Sequence, residues 1–95
     1  MKVSDMINAI HEATSDYQIN MVDQAGNGVI LIANDCDTSE AVILTSEDSE
    51  GIFAERALEL LGALNPDATV VTSENVYINK VTYERVTRPT LVCSR

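Results

Sequence analysis

His11, Cys36 and Cys93 are the one imidazole and the two thiols of the chain, and fifteen carboxylates surround them. Nucleophilic catalysis needs a Ser, Cys or Thr beside a general base, most often a histidine. His11 lies four residues after Ile7 and three before Thr14, at the edge of a helical apolar stripe, with no Cys-His or Ser-His unit near it. Such a position predicts a solvated or capped side chain. The two cysteines stand 57 positions apart, in neither a metal-ligand nor a redox spacing, so idle thiols are expected.

Carboxylates offer two further chemistries. Paired acids hydrolyse glycosides when a cleft holds them at a fixed separation, but a chain with no Trp, one Phe and three Tyr has few platforms on which to stack a sugar. Calcium wants oxygen ligands at alternate positions, and Asp35, Asp37 and Ser39 match the first three. The match then fails, because Glu40 stands where the loop requires glycine and Ser46 where it requires a bidentate glutamate. No metal site and no cofactor are therefore expected. Gly26-Asn27-Gly28 opens no helix and lacks a phosphate-loop pattern around it, so it reads as a hairpin turn.

The elements that must position these residues follow from period and punctuation. Val3, Met6, Ile7, Ile10 and Ala13 recur at helical spacing, which predicts a helix from about Asp5 to Thr14 with Ser4 as cap. Tyr17 to Val22 alternates as a half-buried strand, and Val29 to Ala33 is a short β-branched run between breakers. Together with Ala41 to Thr45 they predict a three-stranded antiparallel meander. A second helix is expected from Glu47 to Leu64, with Phe53, Ala57, Leu60, Leu61 and Leu64 on its apolar face and Glu47, Asp48 and Glu50 at its positive end.

Strands are predicted at Ala68 to Thr72 and at Val76 to Val86, the latter broken by a phase slip near Asn79-Lys80. After Thr87-Arg88-Pro89, residues 88–95 read as an edge strand or a tail. The fold class is α+β: one two-layer domain over residues 1–95, ordered α-β-β-β-α-β-β, with two helices covering one face of a mostly antiparallel sheet. Val22, Ile30 and Ile32 are expected to point away from the helices, and pairing of two copies through that face would cover them.

The most distinctive property is the charge of −9, which is unevenly spread. Between Lys2 and Arg56 lie 53 residues with eleven acids and no Lys or Arg. Residues 1–79 carry −12 and residues 80–95 carry +3. The order of the first five elements is that of a double-stranded RNA-binding module, but the predicted second helix begins Glu47-Asp48-Ser49-Glu50, where such a module needs bases, so direct nucleic-acid binding is not expected. No apolar run approaches a membrane span, no secretory signal opens the chain, and a cytoplasmic location is expected.

These observations predict a non-enzymatic protein-binding or regulatory domain that meets a basic protein surface through Asp35, Asp37, Glu40, Glu47, Asp48 and Glu50. Its extreme form is a nucleic-acid mimic, a phage or mobile-element inhibitor that occupies the site of a nucleic-acid-binding protein. The alternatives are a small enzyme or metal-binding domain using clustered carboxylates, and a structural homodimer with a merely solubilising surface.

Overall fold

The computed structural model describes residues 1–85 and 87–95; Val86, the last residue of the strand expected at Val76 to Val86, lies outside the described residues. Helix α1 spans Val3–Ala13 and buries Val3, Met6 and Ile10. Its free first-turn amides are satisfied from a distance, since Val3 and Ser4 donate to the Ala68 and Pro66 carbonyls at 2.9 and 3.1 Å. Ser4 makes no cap; Asp5 instead accepts the Lys2 N–H at 3.1 Å.

Strands β1 (Asn20–Asp23), β2 (Gly28–Asn34) and β3 (Ala41–Ser46) form the expected antiparallel meander. Gly26, at φ +86°, closes the first hairpin, with its N–H bonded to the Asp23 carbonyl. Helix α2 (Ala54–Gly62) follows, then β4 (Val70–Thr72), β5 (Lys80–Arg85) and β6 (Pro89–Ser94). The six strands lie in the order β4-β3-β2-β1-β6-β5. Three pairings are antiparallel, while β3 with β4 and β1 with β6 are parallel, so the sheet is mixed. The two helices pack together and against the sheet.

The expected element order stands, with one strand more after α2. Pro89–Ser94 is neither edge strand nor tail: it lies inside the sheet, bonded to β1 on one side and β5 on the other. Pro89 is tolerated because it is the first residue of the strand, paired with the last residue of β5.

Three expected details are corrected. Ile32 is 1% exposed and belongs to the core, because β2 bulges between Val29 and Leu31 and both Val29 and Ile32 then face the helices. Ile30 at the bulge is 45% exposed, and Val22 is buried outside the core cluster. The second helix starts at Ala54 rather than Glu47 because Gly51 has a positive φ and the backbone of Ile52 and Phe53 is committed elsewhere. Ile52 accepts from Met21 N–H at 2.9 Å and donates to the Val29 carbonyl at 2.8 Å, wedged between β1 and β2. Phe53, bridged to Asn20, is 45% exposed instead of lying on the helix's apolar face.

This wedge requires two glycines. Gly51 adopts φ +95°, and a Cβ there would strike the Met21 carbonyl. A Cβ on Gly28 would occupy the space of the Gly51 nitrogen and the Ser49 carbonyl. The loop thus crosses over Gly28 on the side of its register partner Val22, the face opposite the helices.

The sheet also curls. Between β4 and β5, Ile78 donates to the Val70 carbonyl at 3.1 Å and Asn79 to the Ser94 carbonyl at 2.8 Å, so this segment ties β4 to β6. Met21, Val29, Ile43, Val70, Ile78, Leu91 and Cys93 consequently share one core with both helices. Complete burial of each large aliphatic side chain there contributes about 1.5–3 kcal/mol.

Candidate protein-binding surface

The six acids singled out in the sequence fall into two groups at opposite ends of β3, which its length separates by about 17 Å. In the β2–β3 loop, Asp35 builds the turn. Its carboxylate accepts the Asp37 N–H at 2.9 Å, its carbonyl accepts Ser39 N–H at 3.0 Å, and its own N–H donates to the Glu40 carbonyl at 2.7 Å. Ser39 takes φ +59° within this turn. Asp37 is left pointing outward and exposed. Glu40 is half-buried, and its carboxylate beside the Tyr77 hydroxyl holds that phenol above its ordinary 10.0.

At the other end, Ser46 organises the turn, accepting the Asp48 N–H on its hydroxyl at 3.2 Å and the Ser49 N–H on its carbonyl at 3.2 Å. Glu47 and Asp48 are exposed. Glu50 is paired with Arg88 at 3.2 Å, a bond between the acidic body and the basic C-terminal segment. None of these three acids caps a helix: the first turn of α2 carries Glu55 alone. The helix-macrodipole reason for placing acids at 47–50 is therefore absent. Among the described residues, Asp37, Glu47 and Asp48 have no cationic partner, whereas Asp67, Glu59 and Glu50 each have one.

His11 is exposed, its Nδ1 2.7 Å from the Tyr17 hydroxyl and the two rings edge to face, which fits a capped side chain. Both cysteines are free, Cys36 exposed in the β2–β3 loop and Cys93 buried on β6. Among the described residues no three His, Cys, Asp or Glu side chains converge as metal ligands.

The curled sheet creates one feature that sequence reasoning missed. A cavity of about 90 Å³ opens where the β1–β2 turn meets the β4–β5 connection, lined by Asp23, Asn27, Thr72, Glu74, Ile78 and Cys93. Burial and the nearby Asp23 charge push the Cys93 thiol up to about 12, so it is neutral. No signal in the sequence brings residues 23, 74 and 93 together, because they meet only through the parallel β1–β6 pairing and the curl. Compared with protein-family models, with curated proteins and with solved structures, the chain matches none.

Proposed function

We propose that the protein is a non-enzymatic, cytoplasmic protein-binding domain whose acidic surface docks on a basic partner. The observation that carries this reading is the set of exposed carboxylates of Asp37, Glu47 and Asp48, flanking β3 within a 53-residue stretch free of Lys and Arg and unpaired among the described residues. Asp35 and Glu50 support the surface, the first by shaping its loop and the second while tied to Arg88. Glu40 lies at the same end of β3 as Asp37. Two charge clusters at a fixed distance suit a partner with two basic patches, and a nucleic-acid-binding protein is the class that carries such patches. Occupying them would make the domain an inhibitor of that partner.

Complementary charge raises encounter rates and selects partners, and it is screened by salt. Affinity for the partner should fall with ionic strength and with Glu47→Lys and Asp48→Lys together. Equal affinity of the wild-type and doubly reversed chains would refute the reading.

A second reading, self-association through the sheet face opposite the helices, is favoured by Ile30 and Leu31, which are 45% and 39% exposed. Leu31 and its cross-strand partner Leu44 share that face. Analytical ultracentrifugation should then show a dimer that Leu31→Glu dissociates; a 10.3 kDa species at every concentration excludes it.

A further inference from the structure

The two ends of the sheet are finished differently. At one end β4 is covered by the segment that follows it, through the bridge of Val71 to Tyr77 and the bond from Ile78 N–H to the Val70 carbonyl. At the other end lies β5, whose backbone is bonded among the described residues to β6 alone. Alternate residues of such a strand turn an N–H and a carbonyl outward without a partner, and this makes the edge a template for another strand.

Charge commonly guards an exposed edge, and β5 carries Lys80, Glu84 and Arg85, all exposed and without an ion-pair partner among the described residues. Their order selects one register for a second, antiparallel copy of β5. Centred between Thr82 and Tyr83, the two copies set Lys80 against Arg85, and like charges directly opposite destabilise a sheet. Centred on Tyr83, they set Arg85 against buried Val81 and bring no charge opposite its complement. Centred on Thr82, each Lys80 faces the Glu84 of the other copy, Thr82 faces Thr82, and Arg85 faces the uncharged Asn79, so every opposed pair is favourable or neutral. The helix side of the strand agrees with this register. Val81 and Tyr83 share that side, yet Val81 is 9% exposed and Tyr83 44%. Beside Val81 an open groove of about 380 Å³ runs between the end of α1 and the start of β5, with Ala9, Ala13 and Asn79 among its walls. With Thr82 on the axis, the Tyr83 of one copy lies opposite the Val81 of the other, at the mouth of that groove.

We infer that two copies of the chain pair their β5 edges antiparallel about Thr82, each seating its Tyr83 ring in the groove of the other, against Ala9, Ala13 and Val81. The contact is isologous, so the backbone bonds, the Lys80–Glu84 pair and the seated ring each occur twice. Main-chain bonds along an edge supply affinity and the side chains that flank them supply the choice of partner and register. A tyrosine suits such a groove, because its ring buries apolar area while its hydroxyl stays in water at the rim. This edge is separate from the sheet face that carries Leu31 and from the acids Glu47 and Asp48 that follow β3, so the inference stands on its own observations.

The test is sedimentation equilibrium of the full chain, whose mass should rise with concentration from 10.3 kDa toward twice that value. Lys80→Glu and Glu84→Lys each set like charges opposite one another at two places in the pairing and should weaken the dimer about tenfold. Both positions are exposed, and unchanged circular dichroism would show that each variant folds. An equimolar mixture of the two variants should associate as tightly as the wild type, because each chain supplies the sign that the other lacks, and the doubly exchanged Lys80→Glu/Glu84→Lys chain should do so alone. Tyr83→Ser should weaken the dimer and Leu31→Glu should leave it intact. A 10.3 kDa species at every concentration, a dimer indifferent to Lys80→Glu, a mixture no tighter than its components, or a dimer lost on Leu31→Glu would each overturn the inference. Its failure is separable from that of the acidic surface, since partner binding by the Lys80→Glu chain still depends on Glu47 and Asp48.

Discussion

Glu50 and Arg88 meet at 3.2 Å and join the acid-rich body to the basic C-terminal segment of the same molecule. Both side chains are largely exposed, so the pair contributes about 0–1 kcal/mol to stability. Its importance is electrostatic. Glu50 is already compensated, whereas Glu47 and Asp48, three and two residues earlier, have no cationic partner among the described residues. Glu50→Gln should therefore weaken partner binding less than Asp48→Asn, and Arg88→Gln should strengthen it by releasing a carboxylate. Parallel titrations of the three variants check the ranking, and a reversed order would mean that Arg88 itself contacts the partner.

The glycines separate backbone freedom from close packing. Gly26 and Gly51 both have positive φ, but a Cβ at Gly26 meets nothing within 4 Å, while at Gly51 it meets the Met21 carbonyl. Gly26→Ala should cost about 1 kcal/mol and Gly51→Ala about 3 kcal/mol or more in urea denaturation. Gly28→Ala, at ordinary φ, should approach the Gly51 value through packing alone. Similar small losses at all three positions would contradict the crossing of the loop over Gly28.

The two thiols should differ in reactivity. Native protein is expected to release one equivalent with a thiol reagent, from Cys36, and a second only on unfolding. Cys93 also predicts a pH dependence. Its folded pKa, raised to about 12 from 9.0, lies above the unfolded one, so its contribution is fully present below pH 9 and is lost as pH rises toward 12. The loss amounts to about 4 kcal/mol. Stability measured between pH 8 and pH 11 should fall less steeply for Cys93→Ala than for the wild type, from a lower starting value; equal slopes would refute the assignment.

Neighbouring isoleucines report on the bulge in β2. Ile32→Ala, in the core, should cost about 2–5 kcal/mol, and exposed Ile30→Ala about 0.5 kcal/mol or less. Equal costs would mean that Ile30 is covered by a second copy of the chain.

Local signals carried most of the architecture. Helical spacing located α1, the Gly26 turn located the first hairpin, and the phase change at Asn79-Lys80 located the start of β5. The continuous apolar run of β2 misled about which side chains share a face, because a bulge adds a residue without any mark in such a run. Capping residues at 46–50 also misled: their hydroxyls and acids serve a turn, and Gly51, whose positive φ breaks the helix pattern, was the available clue. The separation of the acidic clusters followed directly from the length of β3. The cavity did not, since it depends on a parallel pairing of β1 with β6 and on the curl of the sheet, contacts between residues some 70 positions apart.

The acidic surface is tested most directly by titrating the basic protein that the chain retains on an affinity column with wild-type and Glu47→Lys/Asp48→Lys chains, at low and at moderate salt. The account predicts that reversal weakens binding about tenfold or more at low salt and that the gap narrows as salt rises. Equal affinities at both salt concentrations, or retention of no basic protein, would contradict it.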